Sequence, residues 1–497
     1  MVADTQAGVA AQSRSWLPAL LVVLGILFVV RLVALAANAT DLFFDEAQYW
    51  SWSVEPSFGY YSKPPLIAWL IRLSTETCGL SEFCVRLPSP ILHTLTALVV
   101  YAIATRLYDS RVGFWAGLGF ATLPGVSLSA GIISTDVPLL LCWAIGLYAF
   151  IRLEDTKQWW PALLLGVALG LGLNAKYAMA YFMLCTAVYL AVAPDRRWLA
   201  RDPRLYVALA IGIALIAPNL IWNAINSFAT FSHTADNAKW TGSLFNPGKA
   251  LEFFGAQFGV FGPILFGALL VITVRSFRNG AETADKLLLS FALPVIAIVT
   301  VQAFLSRAHA NWAAVSYVSA TILVTATMIR ELSWRWLKGS TGLHAAILLG
   351  LGLATATAGM VRLPGGGDPF ARTMGWKALA DETAAILADY RQRGQPFGAV
   401  MTEDRSVTAE LLYYMRQETT PVYAWHDRGP PRDHYELTRP FRAGSPEPVL
   451  LVSLKRTPGS AGSQFKTVTP IAEGEVSAGA STNRHVSFYK LEGYTGQ

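Results

Sequence analysis

An apolar run over residues 17–37 is the feature that most constrains how this chain folds. About 20 apolar residues cross the hydrocarbon core of a bilayer as an α-helix. In lipid the backbone must satisfy its own hydrogen bonds, so such a run can only be helical or part of a closed barrel. The run is too long for the apolar part of a signal peptide, and no small-residue cleavage site precedes the polar segment that follows. It therefore predicts a retained membrane helix.

Ten more apolar runs of spanning length follow the first one. They cover residues 88–106, 112–133, 137–152, 160–174, 177–193, 205–222, 251–274, 287–305, 311–329 and 341–361. Charged residues make up only 14% of the chain, against about a quarter in soluble proteins. The pattern predicts a polytopic α-helical membrane protein with eleven spans, in a class that has about 11–13.

The charges in the loops give the chain a predicted orientation. With the N-terminus inside, cytoplasmic segments from Arg14 onward hold fifteen Lys and Arg residues, and the short outer loops, Lys239 included, hold seven. Positive residues resist translocation, so this bias favours an inside N-terminus, and eleven spans then place the tail outside. The net charge of +6 fits insertion topology better than a nucleic-acid partner.

The composition changes after residue 361. We predict a catalytic membrane domain over 1–361, in which residues 38–87 form a first outer loop with interfacial helices, a Gly/Pro linker over 362–373, and a soluble domain over 374–497. Helices are predicted over 374–393 and near 407–416, and strands at Ala399–Met401, Val422–Trp425, Val449–Leu454 and Val486–Leu491, a pattern typical of a small α/β domain. We identify no Gly-rich phosphate loop and no paired catalytic acids in the tail, and both a role in shaping the outer face and a purely stabilising role stay open.

Four cysteines are too few for a disulfide scaffold or a zinc cluster. Cys142 and Cys185 lie inside apolar runs, where we predict that they pack in the core. Cys78 and Cys84 share the first outer loop, and an oxidising compartment would permit a disulfide between them. The sequence leaves that pairing open.

Polar residues collect on the predicted outer side of the membrane. They are Asp45, Glu46, Tyr49, Tyr60, Tyr61, Lys63, Asp136, Lys176, Arg307 and His309. Each has a plain structural explanation. The acids can cap helices, the lysines can snorkel, Arg307 and His309 can anchor topology, and the tyrosines can belong to an interfacial belt. Gathered on one face, however, they indicate a site at the boundary of water and lipid.

These residues stand in motifs that resemble a known family. The stretches DEAQYW at 45–50 and YYSKPPL at 60–66 are similar to the first-loop pattern of PMT-like glycosyltransferases of the GT-C class. STDVP at 134–138, NAKY at 174–177 and HANW at 309–312 fall where related sequences carry similar segments. The resemblance covers most of residues 17–380, and it is nearest to bacterial enzymes that decorate lipid A or lipopolysaccharide core, including aminoarabinose and galacturonic acid transferases.

The resemblance implies an inverting hexosyl- or pentosyltransferase of the bacterial inner membrane whose site faces the periplasm. Its partners would be a polyprenyl-phosphate sugar donor, a lipid or glycolipid acceptor, and membrane lipids. From the chemistry we expect Asp45 to act as general base, with Glu46 orienting it or the acceptor and Asp136 as a supporting acid. Cations at Lys63, Lys176 and Arg307 suit the phosphate. Tyr49, Tyr60, Tyr61 and His309 complete the predicted substrate-binding set.

Two positions depart from the aminoarabinose enzyme. Gln48 stands where that enzyme has an arginine, and Ser62 stands where it has a glutamate before Lys-Pro-Pro. These differences weaken the case for an aminoarabinose donor and for a metal bound through that glutamate. We assign no metal ligand and no certain cofactor, and the sequence leaves open whether a divalent metal takes part.

Three other functions compete with this hypothesis. A transporter or flippase for a lipid-linked sugar would favour charged or broken-helix sites at mid-membrane and an internal repeat, and neither is evident in the sequence. A protein O-mannosyltransferase keeps the chemistry and changes the acceptor. A silent membrane scaffold would not need paired acids and cations on one face.

Overall fold

The computed structural model describes residues 15–238, 244–362, 368–427 and 429–496. Arg14, Lys239 and part of the predicted linker lie outside these residues. The helices are α1 Leu17–Ala36, α2 Phe44–Val54, α3 Leu66–Cys78, α4 Glu82–Arg86, α5 Pro88–Leu107, α6 Ser110–Thr122, α7 Pro124–Ser129, α8 Asp136–Asp155, α9 Trp160–Ala175, α10 Tyr181–Val192, α11 Pro203–Ile225, α12 Ala229–Ala238, α13 Pro247–Val260, α14 Pro263–Asn279, α15 Thr283–Ser290, α16 Leu293–Leu305, α17 Ser316–Arg330, α18 Trp334–Ala356, α19 Trp376–Gln392, α20 Arg405–Tyr414, α21 His434–Thr438 and α22 Gly459–Gly462. Three 3₁₀ helices cover Tyr177–Ala180, Pro194–Arg201 and Ala310–Ala313.

Six helical segments of the described chain are long and apolar enough to cross a membrane, and a bent pair brings the number to seven. The segments are Leu17–Ala36, Glu82–Leu107, Asp136–Asp155, Pro203–Ile225, Thr283–Leu305 and Trp334–Ala356, and the pair is α13 with α14, which meet at 116°. The polytopic helical fold is thus confirmed.

The other four predicted spans fall on shorter helices, so the predicted count of eleven exceeds the number of full-length spans. The run over 112–133 is divided between α6 and α7 at Leu123, which is extended because Pro124 follows it. The run over 160–193 is divided at Lys176, whose backbone is extended between α9 and a 3₁₀ turn. That break falls between the two predicted apolar runs, 160–174 and 177–193, and Lys176 lies at it.

The first outer loop folds into three short helices, α2, α3 and α4. Cys78 and Cys84 form a disulfide that closes the segment between α3 and α4, with Cα atoms 5.6 Å apart, which resolves the open pairing. Cys142 and Cys185 are buried free thiols, as predicted. Gly59 brings the loop against α11, because a Cβ at this position would stand 2.5 Å from the Trp222 ring.

The C-terminal region builds one sheet of five strands, β1 Ala399–Thr402, β2 Val422–Ala424, β3 Val449–Ser453, β4 Phe465–Ser477 and β5 Asn483–Tyr494. Their order is β2-β1-β3-β5-β4, with β1 parallel to β2 and β3, and β5 antiparallel to β3 and β4. The predicted helices appear as α19 and α20, and four strands lie where they were predicted. The fifth strand, β4, was not predicted because most of its side chains are exposed and it carries no apolar run.

Helix α20 packs on α2, and this contact joins the C-terminal region to the first outer loop. Ala409 and Tyr413 share a buried cluster with Trp50 and Trp52, and the rings of Trp50 and Tyr413 meet edge to face at 5.0 Å. The hydroxyl of Tyr414 accepts a hydrogen bond from the Leu42 amide at 2.9 Å. This shared apolar core joins the tail to the first outer loop and is compatible with both roles that the sequence leaves open for the tail.

Candidate active site

Helix α2 presents Asp45 in its first turn, where a carboxylate also interacts favourably with the helix dipole. The side chain of Asp45 is 38% exposed, which leaves it accessible for chemistry. Its Oδ1 accepts a hydrogen bond from Nη1 of Arg405 at 2.9 Å. Among the described residues, Oδ2 has no protein partner. The proposed base is thus held by one oxygen and open at the other.

Glu46 faces the opposite way and is buried with Arg86, the two side chains being 2% and 1% exposed. Oε1 accepts from Arg86 Nε at 3.0 Å and from the Ile133 amide at 2.8 Å. Oε2 accepts from Arg86 Nη2 at 2.8 Å and from the Phe43 amide at 2.9 Å. Both oxygens of Glu46 are thus engaged within the protein at the start of α2, which favours the predicted role of orienting Asp45 over that of orienting the acceptor.

Asp136, at the start of α8, is held by two residues from different elements. Nζ of Lys176 donates to Oδ1 at 2.7 Å, and Nδ2 of Asn311 donates to Oδ2 at 2.6 Å. The Asp136 side chain is 10% exposed. Sequence analysis grouped Asp136 with Lys176, and the structure brings them together; Asn311, quoted only as part of the HANW segment, completes the group. The ion pair with Asp136 thus holds the Lys176 ammonium in place.

Lys63 is the cation with the most perturbed titration in this group. Its Nζ makes no hydrogen bond or ion pair within the described parts of the chain. Burial lowers the pKa of Lys63 to about 8, and the nearby Lys176 charge adds to this, while Asp45 and Asp136 oppose it. Lys63 is thus close enough to Asp45, Asp136 and Lys176 to be affected by their charges, and its ammonium is available to an anionic ligand.

Arg307 and His309 lie on the loop that precedes Asn311. The Nε of Arg307 is buried and has no hydrogen-bond partner among the residues that the structure describes. Burial lowers the pKa of His309, and Arg307, Lys176 and Lys63 lower it further. The charges of Arg307, Lys176 and Lys63 thus all act on the His309 imidazole.

The three predicted tyrosines differ in what they can reach. Tyr60 is only 2% exposed; it stacks flat on Trp52 at 4.6 Å and donates its hydroxyl to the Trp52 carbonyl. Its ring and its hydroxyl are both engaged within the loop, and its predicted contact with substrate stays a prediction. Tyr61 is likewise occupied, because its hydroxyl donates to the Pro431 carbonyl at 2.9 Å. Tyr49 stays beside the site: burial raises its pKa, and the charge of Asp45 adds to this.

Two residues outside the predicted catalytic and substrate-binding sets complete this arrangement. Arg405, at the start of α20, donates from Nη1 to Gln48 Oε1 at 2.7 Å as well as to Asp45. His233, on α12, has its pKa lowered to about 4 by burial and then by Lys63 and Arg405. Arg405 lies 360 positions from Asp45, so no local pattern links them; the only signal was the uncharged Gln48 at a position where related sequences carry arginine.

The described residues contain no group of three or more His, Cys, Asp or Glu side chains that could hold a metal ion. Position 62 is a serine, which offers no carboxylate beside Lys63. The residues therefore do not fit a metal site, and we assign no step to a metal.

Comparison with known proteins identifies the family. The chain is 38% identical over 419 residues to the lipid A galacturonosyltransferase RgtD of Rhizobium johnstonii, covering 84% of this chain and 86% of that protein. The chain belongs to the same glycosyltransferase family. A family model described as dolichyl-phosphate-mannose-protein mannosyltransferase matches residues 62–222 of this glycosyltransferase.

A more distant relative and a solved structure agree with this assignment. The undecaprenyl phosphate-alpha-4-amino-4-deoxy-L-arabinose arabinosyl transferase 2 of Sodalis glossinidius is 31% identical over 160 residues, which is 31% of this glycosyltransferase and 28% of that protein. The structure of ArnT from Cupriavidus metallidurans bound to undecaprenyl phosphate superposes with a TM-score of 0.66 at 13% identity, covering 95% of this chain and 98% of that one. The latter similarity confirms the GT-C membrane fold.

Proposed function

We propose that this glycosyltransferase moves a sugar from a polyprenyl-phosphate carrier to lipid A or lipopolysaccharide core, and that the sugar is galacturonic acid. Full-length similarity to a lipid A galacturonosyltransferase carries the proposal. The donor class is supported by relatives whose names include undecaprenyl phosphate. The unpaired cations at Lys63 and Arg307 suit a substrate that carries both a phosphodiester and a carboxylate.

The proposed reaction is a direct displacement at the anomeric carbon. Asp45 accepts the proton of the acceptor hydroxyl through its open Oδ2, as the acceptor oxygen forms its bond to the carbon. The bond from that carbon to the phosphate oxygen breaks, and polyprenyl phosphate leaves with one more negative charge. Attack from the side opposite the phosphate inverts the configuration.

Lys63, Arg307 and Lys176 would stabilise the charge that develops on the leaving phosphate. Preorganised cations in a partly dry site act most strongly where charge appears in the transition state. Arginine also binds phosphate through two parallel hydrogen bonds, which suits Arg307 with its unpartnered Nε. Asp136 contributes by holding Lys176 in place.

We place this site on the periplasmic face of the inner membrane. The bias of positive loop residues supports that orientation. The Cys78–Cys84 disulfide adds to it, because disulfides form and persist in oxidising compartments such as the periplasm. The loop that carries the disulfide also carries Asp45 and Lys63.

The test of the function is Asp45→Asn, with Glu55→Gln as the matched control at the other end of α2. Glu55 is an exposed acid that pairs with Arg439. We expect Asp45→Asn to reduce transfer by about 10²–10⁴-fold, the usual contribution of a general base, and Glu55→Gln to leave transfer unchanged. The measurement is mass spectrometry of lipid A and core from a deletion strain complemented with each variant.

The outcomes of this experiment separate the alternatives. A deletion strain whose lipid A and core lack galacturonic acid supports the proposal, and loss of a different sugar replaces the donor. A mass change confined to a protein would point to O-mannosyltransferase chemistry. Full transfer by Asp45→Asn would reject Asp45 as the base.

A further inference from the structure

The C-terminal region reaches the proposed base through Arg405. Asp404 caps α20 by accepting a hydrogen bond from the Ser406 amide at 2.7 Å, so Arg405 is the first residue of that helix. From there its guanidinium extends to α2, where it lies 4.9 Å from the centre of the Phe44 ring. The apolar contact between α2 and α20 holds the two helices together, and it thereby fixes the start of the Arg405 side chain relative to Asp45.

The bonds of Arg405 determine how Asp45 is presented. One nitrogen, Nη1, donates to Asp45 Oδ1 and to Gln48 Oε1. Gln48 is only 1% exposed and lies one turn along the same helix, so it holds the guanidinium in register with α2. Arg405 engages only Oδ1 of Asp45, and among the described residues Oδ2 keeps no protein partner, so one oxygen is anchored and the other stays open.

A second arginine of the C-terminal region shows what a plain docking contact looks like. Arg439 pairs with Glu55, the residue that follows the end of α2, and both side chains are largely exposed at 36% and 64%. Exposed pairs contribute about 0–1 kcal/mol. Both arginines thus join the same region to the same helix, but only Arg405 contacts a residue that we assign to the chemistry.

We propose that Arg405 is a positioning residue for the transfer reaction and that the C-terminal domain is therefore part of the active site. It holds Oδ1 of Asp45 so that Oδ2 faces the acceptor hydroxyl. The inference rests on the proposed function, in which Asp45 is the base. It gives the tail domain a catalytic task in place of a covering or stabilising one.

The test compares purified full-length Arg405→Gln, Arg405→Lys and Arg439→Gln with the wild type, using a polyprenyl-phosphate galacturonic acid donor and lipid A. A misplacement of about 1 Å costs on the order of 100-fold in rate. We expect kcat of Arg405→Gln to fall by about that factor while KM for the donor stays within about threefold, because Arg405 does not bind the donor. Arg405→Lys should lose less, and Arg439→Gln should match the wild type.

Moving the guanidinium from α20 to α2 provides a rescue experiment for the lost kcat. Oε1 of Gln48 lies 2.7 Å from Nη1 of Arg405, so in the double variant Gln48→Arg/Arg405→Gln we expect the arginine at position 48 to reach Asp45 from α2 itself. We expect it to recover at least about tenfold of the lost kcat. A merely structural role for Arg405 would not be restored by a charge that lies wholly on α2.

Several results would overturn the inference. An unchanged kcat in Arg405→Gln is the first of them. A change confined to a rise in KM would make Arg405 a donor-binding residue. An equal loss of kcat in Arg405→Gln and Arg439→Gln would indicate that both arginines only dock the C-terminal region. The Asp45→Asn variant separates the two proposals. If it is inactive while Arg405→Gln is fully active, only the role of Arg405 fails; if Asp45→Asn is active, the base assignment fails.

Discussion

At the scale of single residues, the site depends on which charges are already satisfied by the protein. Glu46 and Arg86 satisfy each other in a buried network, and Asp136 is satisfied by Lys176 and Asn311. Asp45 and Lys63 each keep an open polar atom. Buried ionic groups with complete partners hold a structure in place, whereas open ones are available to a substrate.

The lowered pKa of Lys63 leads to a prediction about how donor binding depends on pH. Its pKa is lowered to about 8 in the free protein, so it loses its positive charge as the pH rises through that value, and its attraction for the donor phosphate is lost with it. We expect kcat/KM for the donor, which reports ionisations of the free enzyme, to fall above about pH 8. A profile from pH 6.5 to 9.5 measures this.

Lys63→Arg is the control for this pH profile, because arginine stays charged throughout this range. The alkaline fall should be absent in Lys63→Arg even if its maximal rate is lower. A wild-type profile that stays flat to pH 9.5 would show that the charge of Lys63 does not govern donor binding.

We expect the buried pair of Glu46 and Arg86 to contribute strongly to the stability of the protein. Glu46→Gln leaves Arg86 buried with an incomplete partner, and breaking such a pair costs about 3–5 kcal/mol. Glu76→Gln is the matched control in the same loop, since its pair with Arg72 is exposed and such pairs contribute about 0–1 kcal/mol. Thermal unfolding in detergent should show a clear drop in Tm for Glu46→Gln only. Equal Tm values would mean that the network does not stabilise the loop.

At the scale of elements, the contact between α2 and α20 carries a buried acid. Glu410 is 0% exposed, and neither of its oxygens has a hydrogen-bond partner among the described residues. Burial raises its pKa well above the usual 4.5, and the charges of Asp41 and Glu46 add to the shift. The folded contact therefore favours the protonated, neutral form of Glu410.

The sign of this shift gives a prediction for stability. Folding raises the pKa of Glu410 above its usual value of 4.5. The contribution of Glu410 to the free energy of unfolding is therefore fully present below pH 4.5, and it is lost as the pH rises through the raised pKa. We expect the Tm of the wild type to fall from pH 5 to pH 9 by more than that of Glu410→Gln, which cannot ionise. Each unit of pKa shift corresponds to about 1.4 kcal/mol. Parallel curves for both proteins would refute this effect.

At the scale of the whole molecule, the site needs the membrane helices, the first outer loop and the C-terminal region on the same side of the bilayer. Lys176 and Asn311 come from breaks between membrane helices, Asp45 comes from the loop, and Arg405 comes from the tail. The predicted boundaries at residues 361 and 373 stay predictions, but the apolar contact of α2 with α20 joins the two regions physically.

Reporter fusions test this arrangement. Fusions after Ile151 and Gly339 should report the cytoplasm, because both residues lie at predicted inner ends of spans, and a fusion at the C-terminus should report the periplasm. Alkaline phosphatase activity, which requires export, and a cytoplasmic fluorescent reporter measure the two sides. A C-terminal reporter that is active only in the cytoplasm would separate Arg405 from Asp45 and contradict the proposed site.

Much of this protein could be predicted from local sequence. Apolar runs of spanning length determine the helices because lipid leaves the backbone few alternatives, and Leu123-Pro124 shows how a local break shortens them. The motifs around Asp45 and Lys63 indicated a glycosyltransferase, which the comparison with known proteins confirms. Strand β4 escaped prediction because an exposed edge strand needs no apolar pattern.

Only the tertiary structure decided which of these polar residues are open to a substrate. The sequence places Asp45 beside Glu46, and both look like candidate bases, but the fold buries Glu46 against Arg86 and leaves Asp45 bound through one oxygen. Arg405 could not be predicted from its surroundings, since its role arises from packing between segments 360 positions apart. Local physics determines which segments become helices, whereas hydrogen-bond partners depend on how distant segments meet.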